Sequence, residues 1–219
     1  MMKSIKSIIG VCTCAALVFF TMQHFAMSEE NNKPAPMPVV KEGQEVITLG
    51  AGCFWCVEAV YKRLDGVVSV TSGYMGGTAE NPKYEDVIKN NTGEVEVVHI
   101  VYDPKKISSA KILEWFWQLH DPTQKNGQGG DVGPQYLSTI FYHSKEQKEI
   151  AVKSMATAQE NLEKPIATRI LEAKKFHPAE VHHQDYYRLN KNKNPYCRAV
   201  ITPKMEKLKL EDKPDVNEK

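Results

Sequence analysis

The residues of this chain that are best suited to chemistry lie in the run Gly52-Cys53-Phe54-Trp55-Cys56. Cys53 follows the tight-turn sequence Gly50-Ala51-Gly52 and precedes a segment whose apolar pattern predicts a helix. We therefore expect Cys53 at a helix N-terminus, where unpaired backbone N–H groups and the helix dipole stabilise a thiolate. This position favours a nucleophilic or redox-active thiol over the alternative of a buried core cysteine.

The other thiols leave two further kinds of site open. Cys53-x-x-Cys56 is typical of a redox pair like that of thioredoxin, or of one half of a metal site. A zinc site needs another close pair of ligands, and Cys197 stands apart in the sequence. The segment His177–His183 fails the H-x-x-E-H pattern because Val181 stands at the second histidine, so its histidines are interpreted as surface or packing residues.

The start of the chain has the features of a targeting segment. Lys3 and Lys6 precede the uncharged apolar run Ile8–Phe20, and Ala26-Met27-Ser28 resembles a cleavage site. Residues 1–28 are therefore predicted to be a signal peptide, or an uncleaved N-terminal membrane anchor, that exports the protein to a bacterial periplasm. Three cysteines remain without this leader, and an odd number argues against a purely structural set of disulfides.

The remainder of the 219 residues is predicted to form one domain. A Pro-rich polar tether is predicted over residues 29–44. The folded domain follows over 45–210, and a flexible polar tail is predicted over 211–219. The chain has 28 Lys and Arg against 27 Asp and Glu, a balance that gives no reason to expect a nucleic-acid partner.

Hydrophobic periodicity predicts an alternation of strands and helices. The first six elements have the order β-α-β-β-α-β, which predicts an α+β fold, a two-layer ferredoxin-like sandwich with helices on one face of the sheet. Extra C-terminal helices, a strand and a long coil tail are expected to follow. The predicted strands cover residues 45–49, 67–74, 94–102, 136–142 and 167–173, and the predicted helices cover 54–64, 108–119, 145–163 and about 180–189.

Beyond Gly52-Cys53-Phe54-Trp55, an ordered set of motifs resembles the peptide methionine sulfoxide reductases of the A class (MsrA). The resemblance covers residues 46–205. It departs from the family at Glu94 and Val95, where His and Ala are usual. The matching segments are Ser72–Gly77, Asn81–Tyr84, Thr92–Glu96, His120–Thr123, Gln128–Tyr136 and Phe176–Gln184.

The resemblance implies a role for each site residue. Cys53 is the nucleophile that attacks the sulfoxide sulfur, and Glu96 donates a proton to the sulfoxide oxygen. Glu96 must then be held partly protonated, which burial beside aromatic rings achieves. The other implied site residues surround the substrate: Tyr84 and Tyr136 hydrogen-bond the oxygen, Phe54 and Trp55 hold the methyl group, and Asp131 shapes the pocket and its water.

The resemblance also implies how the enzyme is recycled. Cys53 ends as a sulfenic acid, which a second thiol converts to a disulfide. Cys56 is slightly favoured as the resolving cysteine because of its proximity, and Cys197 is the competitor, on a segment expected to be mobile. An external thioredoxin-like dithiol regenerates the thiols, and no metal or organic cofactor is implied. The implied substrates are free and protein-bound methionine-S-sulfoxide.

Two other functions are compatible with parts of the sequence. A general thiol–disulfide oxidoreductase would use Cys53 and Cys56 and would not need Tyr84, Glu96, Asp131 or Tyr136 at these positions. A non-enzymatic domain that binds peptides through its aromatic residues would not need a reactive thiol.

Overall fold

The structure is a computed structural model that describes residues 30–216. The targeting segment predicted over residues 1–28 lies outside the described residues. The chain divides at Lys33, and the body discussed below begins at Pro34. Within residues 30–216, no helix combines the length and the apolar character needed to cross a membrane.

The body is a mixed α+β fold built around a six-stranded sheet. Its strands are β1 (Glu45–Gly50), β2 (Val67–Met75), β3 (Val95–Tyr102), β6 (Thr139–Tyr142), β7 (Arg169–Glu172) and β8 (His177–Pro178). From one edge to the other, the strand order is β7-β6-β1-β3-β2-β8. Neighbouring strands are antiparallel except for β6 and β7, which are parallel. A separate two-stranded ribbon, β4 (Gly127–Gln128) with β5 (Asp131–Val132), lies in the loop before β6.

Two of the α-helices begin where a serine side chain accepts a hydrogen bond from a free N–H group of the first turn. Ser108 accepts a hydrogen bond from the N–H of Lys111, and Ser144 accepts one from the N–H of Gln147. The α-helices are α1 (Phe54–Tyr61), α2 (Tyr84–Val87), α3 (Ser109–Leu119), α4 (Lys145–Gln159), α5 (Tyr186–Asn190) and α6 (Thr202–Lys207). Two 3₁₀ turns (Pro134–Tyr136 and Val181–His183) and a π-helix (Cys197–Ile201) complete the set.

The central strand β3 is buried along its whole length, and its side chains alternate between two cores. Val98 and Ile100 face the larger core, which also contains the buried faces of α1 and α3. Val95 and Val97 face a smaller core on the other side of the sheet, which Phe176 closes. The helices that carry the candidate site therefore pack against the face of β3 that also presents Glu96.

The C-terminal part of the domain differs from the predicted long coil. Cys197, Ile201 and Met205 recur every four residues and are fully buried, so they form the apolar stripe of a continuous π-helix and α6. Pro195 and Pro203 obscured this stripe in the sequence. The predicted strand over 136–142 also divides, into a 3₁₀ turn that ends at Tyr136 and β6.

The segment predicted to be a tether is partly fixed to the domain. The N–H of Ala35 donates to the carbonyl of Ala179 over 2.9 Å, and Pro34 forms a bridge with Glu180. Ala179 and Glu180 come directly before the 3₁₀ turn Val181–His183. The tether therefore contacts the domain beside this late segment of the chain.

Candidate active site

Cys53 lies at the N-cap position of α1, as the sequence predicted. Gly52 makes the preceding turn with φ +88°, and a Cβ atom there would lie 2.7 Å from the Cβ of Gln128. Glycine is therefore required by both the backbone conformation and the close approach of the β4 loop. The Cys53 side chain does not cap the helix. The turn thus directs a thiol toward the site while the first N–H groups of α1 remain available to other partners.

One of these N–H groups is taken by Glu96. The N–H of Phe54 donates to Glu96 Oε2 over 3.0 Å, which joins the first turn of α1 to β3. Glu96 is only 1% exposed, and burial raises the pKa of its carboxyl to about 8 although this hydrogen bond opposes the change. The carboxyl is therefore largely protonated at neutral pH, which is the state that a proton donor needs.

The pKa values of the two thiols of the motif do not match the expectation that Cys53 is the thiolate. Burial and the neighbouring Cys56 raise the pKa of Cys53, whereas a hydrogen bond from Cys53 lowers the pKa of Cys56 to about 7. Their surroundings therefore favour ionisation of Cys56 over ionisation of Cys53 in the reduced pair. The N-terminal position in α1 was correctly predicted, but burial outweighs the helix dipole at this thiol.

Tyr196 connects the thiol pair to Asp131 and was missed by the sequence reasoning. Its hydroxyl donates to Asp131 Oδ2 over 2.7 Å, and the same oxygen lies 3.8 Å from Cys56 Sγ. Tyr196 precedes Cys197 directly, and that adjacency was the one indication of its importance in the sequence. The structure thus places Asp131 on the wall of the cavity that Cys53 and Cys56 also line, with Tyr196 between Asp131 and Cys56.

Tyr84 and Tyr136 are half-buried, and the hydroxyls of both lie within electrostatic reach of Glu96 and Cys53. Burial raises the pKa of the Tyr84 hydroxyl to about 12, and it raises the pKa of Tyr136 as well. The charges of Glu96 and Cys53 act on both hydroxyls. Both phenols therefore remain protonated hydrogen-bond donors beside the thiol and the carboxyl.

An aromatic wall lines the side of the site next to α1. The Phe54 ring stacks on Tyr84 with centroids 6.4 Å apart, and Trp55 stacks on Tyr186 at 3.7 Å. His183 lies among these rings, 4.4 Å from Tyr84 and 5.4 Å from Phe54. Phe54 and Trp55 are thus part of an apolar surface that could hold a methyl group, and the wall contains two residues that the sequence reasoning did not assign to it.

His183 and Tyr186 are those two residues. Burial lowers the pKa of His183 to about 4, and in the described part of the chain neither ring nitrogen has a hydrogen-bond partner. The interpretation of His183 as an ordinary surface or packing residue is therefore incomplete, because it packs inside the site. Its position comes from the 3₁₀ turn Val181–His183, which the sequence pattern did not reveal.

Buried charges fix α5 against α1 and so hold Tyr186 over Trp55. Glu58 accepts hydrogen bonds from the N–H groups of Asp185 (2.9 Å) and Tyr186 (3.2 Å). Lys62 forms ion pairs with both Glu58 and Asp185. Burial raises the pKa of Glu58 to about 7, with the charge of Lys62 opposing it. This network is a second tie between the motif helix and the C-terminal segment.

Cys197 lies in the core, on a π-helix rather than on a coil. It is fully buried in the first turn of the π-helix, and burial together with the charge of Cys56 raises its pKa. The packing of Ile201 and Met205 on the same stripe explains why this segment is helical. Cys56 is the thiol that hydrogen-bonds Cys53, so the two candidate resolving cysteines are not equivalent in the reduced state.

The departure from the family at Glu94 and Val95 lies at the beginning of β3. Glu94 is buried, and a Cβ atom on Gly77 would lie 2.5 Å from its Oε1. Val95 packs in the smaller core with Phe141. Glu94 therefore fits against the glycine turn, and this contact requires glycine at position 77.

A cavity of about 380 Å³ lies beside the thiol pair. In the part of the chain that the structure describes, no three His, Cys, Asp or Glu side chains are grouped so that they could hold a metal ion. The cavity is lined by Cys53, Cys56, Asp131 and Tyr196 from the site, by His120 at the end of α3, and by Lys204 and Lys207 of α6, among others.

Comparison with known proteins relates this arrangement to one family. A family model described as peptide methionine sulfoxide reductase matches residues 45–216. The chain is 50% identical over 168 residues to peptide methionine sulfoxide reductase MsrA 1 of Rhodopirellula baltica, covering 77% of this chain and 87% of that relative. It is also 50% identical over 164 residues to MsrA of Sulfolobus acidocaldarius, covering 75% and 93%.

Solved structures give the same result. Reduced Mxr1 from Saccharomyces cerevisiae superimposes with a TM-score of 0.68 at 32% identity, covering 71% of this chain and 91% of that one. Methionine sulfoxide reductase A of Corynebacterium diphtheriae gives 0.63 at 29% identity, covering 74% and 89%. Mxr1 in complex with Trx2 gives 0.50 at 26% identity, covering 68% and 90%.

The family match spans the whole domain that carries the thiol pair, the buried carboxyl and the aromatic wall. These matches do not favour a general thiol–disulfide oxidoreductase. The chain belongs to the peptide methionine sulfoxide reductase family, and it is an oxidoreductase that reduces methionine sulfoxide.

Proposed function

We propose that the domain reduces the S epimer of methionine sulfoxide by attack of Cys53 on the sulfoxide sulfur, with Glu96 as the proton donor. The observation that carries this proposal is the buried Glu96 carboxyl, which bonds the N–H that follows Cys53 and whose pKa is raised to about 8. A sulfoxide oxygen is a poor leaving group unless it is protonated, so a neutral carboxyl beside a thiol meets both requirements of the reaction.

The first step transfers the oxygen from substrate to enzyme. The Cys53 thiolate bonds to the substrate sulfur while Glu96 protonates the oxygen and becomes a carboxylate. The bond between the oxygen and the substrate sulfur and the bond between the two sulfurs then break, the hydroxyl passes to Cys53 as a sulfenic acid, and methionine leaves. The hydroxyl groups of Tyr84 and Tyr136 donate hydrogen bonds to the oxygen, because both remain protonated beside Glu96 and Cys53.

The aromatic wall selects and orients the substrate. The rings of Phe54 and Trp55 hold the methyl group, and Asp131, fixed by Tyr196, orders the polar side of the pocket. A protein-bound methionine sulfoxide reaches this site as readily as the free amino acid does, because only the end of the side chain must enter.

Cys56 is the proposed resolving cysteine of the first disulfide. It hydrogen-bonds Cys53, and its pKa is lowered to about 7, so it supplies a thiolate next to the sulfenic acid. Cys197 is buried in the π-helix, so its reaction requires a local rearrangement. After one turnover without reductant, peptide mapping should show a Cys53–Cys56 disulfide, and a dominant Cys53–Cys197 bond would reverse this order.

A thioredoxin-like dithiol is the proposed reductant. Mxr1, which this chain resembles, has been solved in complex with Trx2. The cavity beside Cys56 gives such a partner a route to the disulfide. No metal or organic cofactor enters the proposed reaction, since two thiols and one carboxyl supply all the groups that it needs.

The finer fold assignment proposed is the ferredoxin-like sandwich. Its support is that β1, α1, β2, β3, α3 and β6 follow one another in β-α-β-β-α-β order, and that the four strands lie side by side as β6-β1-β3-β2 with antiparallel neighbours. On this assignment α2 and the β4–β5 ribbon are insertions.

Export to a bacterial periplasm is proposed from Lys3, Lys6 and the apolar run Ile8–Phe20. Cell fractionation with mass measurement of the mature chain tests it. Recovery outside the cytosol, with or without residues 1–28, is expected. Full-length protein confined to the cytosol would contradict the proposal.

The experiment that tests the proposed function compares two epimers. The enzyme is given matched peptides that contain methionine-S-sulfoxide or methionine-R-sulfoxide, with dithiothreitol as the reductant, and methionine is measured. We expect turnover of the S peptide only. Equal turnover of both peptides, or turnover of the R peptide alone, would contradict the assignment of the pocket.

A further inference from the structure

We propose that Lys204 is a positioning residue for enzyme recycling: its ammonium group acts across the cavity on Cys56 and holds it as the thiolate that attacks oxidised Cys53. This inference rests on the proposed function, in which Cys56 resolves the sulfenic acid. The inference assigns a role in recycling to a residue of α6, which is far from the cysteine motif in sequence. It also predicts how formation of the Cys53–Cys56 disulfide depends on pH.

The position of Lys204 is set by the helix that carries it. Ile201 and Met205 are fully buried and anchor the π-helix and α6 to the core, so the half-buried Lys204 between them is directed along the cavity wall. Lys204 and Cys56 both line the cavity of about 380 Å³. Among the ion pairs of residues 30–216, none includes Lys204, so no carboxylate at contact distance neutralises its charge.

Two groups on the cavity wall respond to this charge. The pKa of Cys56 is lowered to about 7, first by the hydrogen bond from Cys53 and then by Lys204, while burial opposes both. Lys204 also lowers the pKa of His120, for which burial is the larger cause. Cys56 and His120 belong to different helical segments, α1 and the end of α3, so the lysine acts across the cavity and not along one helix.

Other titratable groups also face Cys56, and the proposal must stand against them. The Tyr196 hydroxyl lies 3.8 Å from Cys56 Sγ and lowers the pKa of Cys56 when it donates to that sulfur instead of Asp131, whereas the negative charge of Asp131 raises it. Among the described groups that shift the pKa of Cys56 most, Lys204 is therefore the one cation. The titratable groups that act on Cys56, or on which Cys56 acts, are Cys53 at the start of α1, Glu96 on β3, Asp131 on β5, Tyr196 and Cys197 at the π-helix, and Lys204 on α6.

The lysine matters most after the first half-reaction. The Cys53 thiol that donates to Cys56 is consumed when its sulfur takes up oxygen, whereas the charge of Lys204 stays in place. The Cys56 thiolate then bonds to the Cys53 sulfur, and the sulfur–oxygen bond breaks. The oxygen leaves as hydroxide and takes a proton from solvent to become water. The Cys56 sulfur is oxidised and the Cys53 sulfur is reduced to the disulfide level.

Lys207 provides a matched control. It lies on the same helix and lines the same cavity, but its side chain is exposed and so is better screened by water. Lys204→Met and Lys207→Met remove the same charge with a similar apolar stem, and methionine is compatible with a helix. Lys204→Arg keeps the charge, and Lys204→Gln is a second neutral variant with a polar side chain.

The experiment follows one turnover without reductant, from pH 5.5 to 9, with a methionine-S-sulfoxide peptide. Quenched samples are analysed for methionine, which reports the first step, and for the Cys53–Cys56 disulfide. For Lys204→Met and Lys204→Gln we expect the first step to keep the wild-type rate. We expect the midpoint of disulfide formation to rise by about half a unit to one unit, a moderate effect for one charge near a thiol. Below the wild-type midpoint, the step should slow by roughly 3- to 10-fold.

Two comparisons decide the result. Lys204→Arg and Lys207→Met should both keep the wild-type midpoint. An unchanged midpoint in both neutral Lys204 variants, or an equal shift in Lys207→Met, would overturn the role of Lys204. If wild-type enzyme releases methionine but forms a Cys53–Cys197 disulfide instead, the underlying role of Cys56 is refuted. This result needs no lysine variant, so it is distinguishable from a failure of the Lys204 proposal.

Discussion

Glu96 and His99 are ionisable side chains buried on opposite faces of β3, and the contrast between them shows what makes a site. Glu96 faces α1 and is 1% exposed, whereas His99 faces the smaller core and is 7% exposed. Burial favours the neutral form of both, since it raises the pKa of Glu96 to about 8 and lowers that of His99 to about 4. Burial and a shifted pKa alone therefore do not distinguish a reactive group from a structural one.

Their neighbours do distinguish them. His99 Nδ1 bonds Thr48 Oγ1 over 2.9 Å, the same hydroxyl bonds His143 Nε2 over 2.9 Å, and the Phe176 ring stacks on His99 at 4.5 Å. Glu96, in contrast, lies next to a thiol. The polar groups on the His99 face satisfy one another, while those on the Glu96 face are arranged around a substrate. Variants on the two faces should therefore fail in different ways.

The largest effect is expected at the thiol itself. Cys53→Ser should abolish sulfoxide reduction and leave the fold intact, because a hydroxyl is a far weaker nucleophile at neutral pH. Methionine release in a single turnover, with circular dichroism as the control for folding, measures this. Appreciable release by the folded Ser variant would remove Cys53 from the mechanism.

Glu96→Gln should lower the single-turnover rate by roughly 10²–10⁴-fold, the usual contribution of a general acid. The pH profile at low substrate concentration sharpens the test. The active form needs a protonated Glu96 and a deprotonated Cys53. At low pH both Glu96 and Cys53 are protonated, because the pKa of each is raised. The active form therefore appears only when the Glu96–Cys53 pair loses one proton. The wild-type rate should rise as pH increases through about 8. In the Gln variant the rise should move to higher pH, where Cys53 itself ionises, and an unchanged profile would contradict the proposed role of Glu96.

Smaller losses are expected at the phenols. Tyr84→Phe and Tyr136→Phe each remove one hydrogen-bond donor to the sulfoxide oxygen, and a neutral hydrogen bond contributes about 1 kcal/mol, so each rate should fall by roughly 5- to 10-fold. The double variant should lose more than either single variant does. A single Phe variant as slow as Glu96→Gln would move the proton-donor role to that tyrosine.

The smallest effect on activity is expected on the opposite face. The folded-state pKa of His99 lies below its unfolded value, so its contribution to stability is complete above pH about 6.5 and is lost as pH falls toward 4. Urea unfolding at pH 7 and pH 5 should show a smaller pH dependence for His99→Gln than for wild type. The rate of methionine release at pH 7.5 should stay within about 2-fold of wild type. A loss of activity comparable to that of Glu96→Gln would erase the contrast between the faces.

The local structure around Cys53 could be predicted from the sequence. The glycine turn before Cys53, the start of α1 and the alternation along β3 follow from residues that are adjacent in the chain, so the local pattern is enough to assign Cys53 to a helix N-terminus. The strands β1, β2 and β3 were predicted within a residue or two of their observed ends for the same reason. Element ends differed from the prediction where a short helical turn lies next to a loop, as at the 3₁₀ turn that ends at Tyr136 and the helix that begins at Tyr186.

What the sequence alone determined is therefore the motif, the order of the main elements and the class of chemistry, because each depends on neighbouring residues or on a periodic pattern. The tertiary structure decided which distant side chains meet that motif: Tyr196 on Asp131, Tyr186 on Trp55, and Lys204 across the cavity from Cys56. It also decided which thiol carries the charge, since desolvation and coulombic interactions depend on distances in space. Burial raises the pKa of Cys53, whereas the hydrogen bond from Cys53 and the charge of Lys204 lower the pKa of Cys56.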